Sequence, residues 1–492
     1  MRLFLKKHWN KLWALTVITA LCPCPAAMSQ NSLSSPPALP AVENRFGSER
    51  QLTQGPGGRV LTNTGVWSPD GNWIVYDTRS DAAGSVFDGE HIEAVHAGSG
   101  EIRRLYTSKN GARCGVVTFD PVRPRVVFIV GPENPSPEWS YGTTHRQGLV
   151  LDVQTALTDP RPLPSLTWEY LDARNVTAPF TPGALRGGSH VHVWDAQGDW
   201  VSFTYEDHVL QQVPPERADA DRNQRNVGVS APARAVQVPK THPRNHNGAF
   251  FTVLATRTTA KPRPGSDEIE KAFEEGWVGR SGYLRPDGTR QRRALAFLGN
   301  VVGPRGETLS EVFIADLPDD LTVPGDSPLE GTATRLPSPP RGARQRRLTR
   351  TSDRAHPGIQ GPRHWVRCSP DGSKIAFLMK DDGGIPQLWI VSPNGGPSKQ
   401  ITFNPWPVAS AFTWSPDGSK IAHVMDSSVC ITEVDARRTF RITPPGEPSQ
   451  SPRPESCVFS PEGKRVAFVR HIPSPEKPCN QICVVEVNPY IR

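Results

Sequence analysis

Several signatures are missing from this chain, and each absence removes a class of function. No G-x-S-x-G elbow occurs, and no segment has room for an α/β-hydrolase domain, so a serine hydrolase of that type is excluded. No G-x-x-x-x-G-K-S/T loop and no G-x-G-x-x-G in a βαβ setting occurs, so nothing points to a nucleotide enzyme. No C-x-x-C occurs, which leaves a zinc ribbon or thioredoxin-like site unsupported. Beyond the first thirty residues no apolar run is long enough to cross a bilayer as a helix. The positive excess is also small. Four of the seven net positive charges come from Arg2, Lys6, Lys7 and Lys11, and a nucleic-acid partner is not expected. The Arg341, Arg344, Arg346, Arg347 and Arg350 stretch reads first as a solvated strand edge and loop, and second as a basic patch.

Those four cations precede the apolar run Leu12 to Leu21, and small residues Ala26 and Ala27 follow. This is the layout of a secretory signal peptide over residues 1–29, which predicts a periplasmic or secreted protein. Leu21 and Pro23 stand before Cys22 and Cys24 where a lipobox has a small residue, so lipidation is not expected. Six cysteines follow: Cys114, Cys368, Cys430, Cys457, Cys479 and Cys483. An oxidising compartment permits disulfides, but the scattered ones read first as small buried apolar groups. Cys479 and Cys483 can bridge only if their connection folds back, because an extended path separates their α-carbons by roughly 13 Å.

What the chain has in quantity is proline (51) and glycine (42), with enough apolar residues for a core, so it reads as turn-rich β structure. Residues 30–45 read as a flexible linker, and residues 46–492 as the folded domain. Internal repeats organise that domain. Trp67-Ser68-Pro69-Asp70-Gly71, Cys368-Ser369-Pro370-Asp371-Gly372, Trp414-Ser415-Pro416-Asp417-Gly418 and Phe459-Ser460-Pro461-Glu462-Gly463 each precede a short apolar run. Proline presets φ and glycine accepts a positive φ, so each copy is a strand, a tight turn and a strand. Degenerate copies stand at Phe119-Asp120-Pro121 and Trp194-Asp195-Ala196-Gln197-Gly198. Further strands are expected at 251–257, 295–299, 312–317 and 345–350, which gives seven units with room for four strands each.

A second motif, seen in Arg103-Arg104-Leu105-Tyr106, Arg346-Arg347-Leu348-Thr349, Lys399-Gln400-Ile401-Thr402 and Phe440-Arg441-Ile442-Thr443, ends four of the units. The last unit lacks it, and Arg50-Gln51-Leu52-Thr53 supplies it at the other end of the chain. The expectation is a closed ring, an all-β propeller in which the N-terminal strand completes the last blade and removes the free edges. The W-S-P-D-G repeat resembles that of TolB-like (WD40-like) propellers over nearly the whole mature chain. More narrowly, the chain resembles the YidR-like family of unknown function (DUF3748). The segments that carry this are Gly131 to Pro135, Leu185 to Val193, Pro264 to Ile269 with Glu275 to Gly279, and Pro362 to Cys368. The resemblance implies a fold and no mechanism.

Candidate site residues come from the inner strands, which line the channel of a propeller. His190 and His192 are two apart on such a strand, and alternation places both on one face, where a divalent metal is a candidate. Arg186 supplies a fixed charge for an anionic ligand, and His208, His242 and His364 belong to neighbouring units. Glu133 and His145 flank a loop and can serve as an acid and a base. In 261–293, Asp267 with Glu270 reads as a capping box, and Ile269, Phe273 and Trp277 as one face of a short inserted helix. Two functions fit this set. One is a binding or scaffold module that recognises a protein or an anionic glycan at its funnel mouth. The other is a metal-dependent, lyase-like enzyme acting on an acidic glycan, a reading prompted by oligogalacturonate lyases, which are propellers built on this type of repeat.

Overall fold

The Pro-Asp-Gly turn works the same way wherever it occurs. In the first copy Ser68 Oγ donates to Asp70 Oδ1 at 2.5 Å and accepts the Trp73 amide at 2.9 Å, while Asp70 Oδ1 accepts the Asn72 amide at 3.0 Å. Ser369 and Ser415 repeat both serine bonds. Gly71, Gly372, Gly418 and Gly463 all take a positive φ, between 71° and 80°. The turn thus joins the first two strands of a unit with its polar groups satisfied internally.

In this computed structural model, residues 42–488 are described apart from 82–83, 160–165, 363–364, 456 and 474–478. The signal peptide, most of the stretch read as a linker, and His364 lie outside the described residues. Besides two small two-stranded sheets, Ala173–Arg174 with Ala184–Leu185 and Tyr283–Leu284 with Arg290–Gln291, the remainder forms seven blades in chain order, each with four antiparallel strands running from the channel outwards. Their inner strands are Gly58–Val60, Cys114–Phe119, Gly187–Trp194, Lys271–Trp277, Arg367–Cys368, Thr413–Trp414 and Val458–Phe459. The first-to-second strand turns gather on one face, here the turn face. The second-to-third strand connections, long in blades 2 and 3, gather on the opposite loop face. Pro69, Pro121, Ala196, Gly279, Pro370, Pro416 and Pro461, one from each blade, line a single funnel on the turn face. No helix among the described residues is long and apolar enough to cross a membrane.

Closure follows the expected plan. Glu49–Gln51 pairs antiparallel with the last strand, in the register Glu49 to Val485, Arg50 to Val484 and Gln51 to Cys483. Just before it, Glu43–Asn44 pairs parallel with Arg438–Arg441, so the end of the stretch read as a linker is a fifth strand on blade 6. The leucine and threonine of the outer-strand motif have separate tasks. Leu52, Leu348, Ile401 and Ile442 are buried, while the hydroxyls of Thr53, Thr349, Thr402 and Thr443 accept the amides of Ile482, Val312, Leu388 and Val429. In three of the blades a tryptophan near the turn end of the inner strand ties the blade to the preceding one. Trp67, Trp277 and Trp414 donate their indole N–H to the carbonyls of Val458, Val193 and Arg367 at 2.9–3.0 Å.

The inserted helix is not present. Lys271–Trp277 is the inner strand of blade 4, paired with Ala294–Val302, and no helix occurs between 261 and 293. Its burial on both sides and a bulge at Glu274 break the period-two pattern and imitate a four-residue repeat. Asp267 caps nothing; its carboxylate accepts from Arg350 at 2.9 Å. Cys479 and Cys483 lie on one continuous strand, and Cys114, Cys368, Cys430, Cys457 and Cys483 are free thiols.

Candidate functional site

The inner strands of blades 2, 3 and 4 share an irregularity at the channel. Val116, Val191 and Glu274 have φ of 56°, 59° and 56°, and each sits where the pairing register slips by one residue. A valine in this left-handed region is sterically costly and persists only where its surroundings hold it. At Val116 the holder is Asp77, whose carboxylate accepts the Val116 amide at 2.7 Å.

The bulge at Val191 separates His190 from His192, because the extra residue cancels the alternation that would place both on one face. His192 is fully buried between blades 2 and 3. Its Nε2–H donates to Ser189 Oγ at 3.1 Å, and that hydroxyl donates to Asp172 Oδ1 at 3.0 Å. Asp172 Oδ1 also accepts the Gly148 amide at 3.1 Å. Burial pushes the His192 imidazole down to about 3, so it is a neutral strut between blades. His190 instead lines a small, partly open cavity at the loop-face end of the channel. Its Nδ1 is buried without a partner. Burial first, then the Arg146 and Arg225 cations, hold it neutral, well below the usual histidine range. The expected metal pair is therefore corrected: the two rings do not share a face. Among the described residues no group of three or more His, Cys, Asp or Glu side chains could hold a metal ion.

Arg146 is the distinctive residue of this cavity. Among the described residues its guanidinium makes no hydrogen bond and no ion pair. It lies 4.7 Å from the Tyr141 ring and 5.1 Å from the Phe87 ring, with Nε buried and unpartnered. The neighbouring cations differ: Arg79 pairs with Asp77 at 3.1 Å and Arg225 with Glu206 at 2.6 Å. Arg174, 1% exposed, fixes the backbone beneath it by donating to the carbonyls of His145 at 2.8 Å, Arg146 at 2.7 Å and Gly187 at 3.1 Å. The cavity floor is a bridge between blades 5 and 1. Arg367 donates to Asn63 Oδ1, and to the Glu275 carbonyl at 3.2 Å. Asn63 lines the loop-face cavity and Arg367 the turn-face funnel, so this contact stands between the two spaces.

Three of the other predicted histidines meet at a second place on the loop face, around Trp139. His145 stacks on that indole with ring centroids 4.1 Å apart, His208 lies at 4.4 Å and His242 at 5.7 Å. His145 Nδ1–H donates to the Ser140 carbonyl at 3.0 Å, so its Nε2 accepts from His208 Nδ1–H at 3.0 Å. Burial, with His145 second, pushes His208 down to about 4. Glu133 is not joined to His145: its carboxylate accepts from exposed Asn110 at 2.9 Å. Arg186 is also corrected. It is fully buried and paired with Asp207 at 2.6 Å, and it donates to the carbonyls of Thr332 and, at 3.0 Å, of Arg335. A guanidinium with every direction committed is a brace for the 332–335 loop rather than a ligand group. The cation that lacks a carboxylate among the described residues is Arg146, in the segment next to His145, and only the fold reveals this.

Comparison with known proteins agrees with this architecture. Two solved oligogalacturonate lyases superpose on 92% of this chain. One, in complex with manganese, has a TM-score of 0.51 at 10% identity and is covered over 97% of its length. The other, from Vibrio parahaemolyticus, has a TM-score of 0.52 at 9% identity and is covered over 98%. At such identities the likeness concerns the fold alone. Residues 113–246, which carry two of the three bulged inner strands, Arg146 and the histidine cluster, match the model of a protein of unknown function (DUF3748). The uncharacterised protein YidR of Escherichia coli (strain K12) is 44% identical over 424 residues, 85% of this chain and 94% of that protein. The chain is therefore a β-propeller that belongs to the uncharacterised YidR family.

Proposed function

We propose that this protein is a binding module that captures an anionic ligand at the loop-face mouth of its channel. The observation that carries the reading is Arg146, a half-buried guanidinium that has no carboxylate partner among the described residues and lines a cavity beside His190, whose buried Nδ1 is likewise without a partner among them. An unpaired buried cation is costly, and a bound anion offsets that cost. The basic and apolar N-terminus, read as an export signal, belongs to the same proposal and puts the mouth in an extracytoplasmic space. Titration calorimetry of the purified protein with a panel of small carboxylates tests the binding. Arg146→Gln is expected to abolish the heat of binding while the melting temperature stays within a few degrees. Equal affinity in the variant would remove the site. Cell fractionation checks the compartment, and a purely cytoplasmic, uncleaved chain would overturn that part.

A further inference from the structure

Resting on the reading of the Arg146 cavity as the ligand site, we infer that its ligand is a small hydroxylated monocarboxylate, a compound of the hydroxy-acid or sugar-acid class. The charges set the valence. Of the carboxylates that line the cavity, Asp77 is paired with Arg79 and Glu455 with Arg453 at 3.5 Å. Arg146 is left as the uncompensated cation, and His190 is neutral. One negative charge balances this cavity, whereas a phosphate dianion would bring a second, unmatched one. The planar fork of a guanidinium also fits a carboxylate in bidentate fashion.

The remaining polar groups point to hydroxyls. Asn63 has given its Oδ1 to Arg367 and keeps its amide N–H groups for the cavity. Thr62 and His190 line the same space and have no side-chain partner among the described residues. A bare aliphatic acid would leave these groups unsatisfied, and a polyhydroxylated acid would engage them. Phe87, 41% exposed, and Trp365 offer apolar surface to the carbon skeleton at the mouth. The Arg367–Asn63 bridge lies across the path to the opposite funnel, so the cavity suits a small molecule rather than a threaded polymer.

Calorimetry on the intact protein with gluconate, acetate, glucose and inorganic phosphate tests this. Gluconate should bind at least about tenfold tighter than acetate, a difference of about 1.4 kcal/mol, and glucose and phosphate should bind no better than acetate. Thr62→Val should weaken gluconate and leave acetate unchanged. Arg146→Gln should remove both acids. Arg146→Lys, which keeps the charge and loses the fork, should weaken both and serves if the glutamine variant does not fold. Acetate binding as tightly as gluconate, or phosphate binding more tightly, overturns the ligand class and leaves the Arg146 site standing. Acid binding indifferent to Arg146 overturns the site itself.

Discussion

Arg470, in the second strand of the last blade, holds Glu49 of the N-terminal strand through two hydrogen bonds of 2.9 and 3.0 Å. The two residues are 421 apart in sequence, so this contact forms only when the ring closes. The closing strand adds three ladder pairs and covers an edge otherwise open to solvent. Deleting residues 46–54 should cost several kcal/mol, at about 1 °C of melting temperature per kcal/mol for a domain of this size. Glu49→Ala alone should cost about 1 kcal/mol or less, because its carboxylate is partly exposed. A deletion variant that melts like the parent would contradict closure by this strand.

The cysteines should behave as packing groups. Cys457 and Cys483 are buried, and burial pushes both thiols up to about 12, so neither is a thiolate at neutral pH. The folded protein should leave both unalkylated by iodoacetamide, and reduction should not change its melting temperature. A disulfide-linked 479–483 peptide by mass mapping would refute the extended strand on which those residues lie.

The ring was legible because its signal is repeated and local. Trp67, Trp414 and their Ser-Pro-Asp-Gly turns carry their own hydrogen bonds, so blades 1, 5, 6 and 7 declare themselves in short windows of sequence. The inner strand of blade 4 was not legible, since its non-glycine bulge at Glu274 has no sequence signature. The same holds at Val191, where alternation predicts the opposite of what the bulge does to His190 and His192. The site was legible only by neighbourhood. His145 drew attention to the right segment, but pairing is a property of the fold. Asp207 reaches Arg186 because a hairpin brings it there, and no carboxylate of the described residues reaches Arg146.

The histidine cluster predicts acid sensitivity. Burial lowers the pKa values of His145, His208 and His242, and Arg174 and Arg244 face the same rings and oppose a further positive charge. The unfolded chain binds these protons near pH 6.5, and the folded one binds the His208 proton only near 4. Stability is therefore complete above about pH 6.5 and falls as pH drops from there towards about 4. Melting temperatures from pH 7.5 to 5 should decline, and His208→Gln should flatten the slope, since an amide can donate to His145 without titrating. Equal slopes would mean that the cluster does not control acid stability.

His190 and His192 should part company under mutation, although only Val191 separates them. His192 is wedged against Gly148, where an added methyl would stand 2.7 Å from its Nε2 and 3.0 Å from Leu171. Gly148→Ala should therefore push blades 2 and 3 apart at a cost of about 1–3 kcal/mol. His192→Ala should cost at least as much, because it opens a void and leaves the Ser189 hydroxyl without the donor it accepts from. Neither change touches the Arg146 cavity, so carboxylate affinity measured below the melting transition should stay the same. His190→Ala should do the reverse: its ring has no hydrogen bond to lose, so stability should change little, while affinity for the acid should fall. If instead His190→Ala unfolds the protein and His192→Ala removes binding, the two rings have exchanged roles, and the bulge at Val191 does not place them as described.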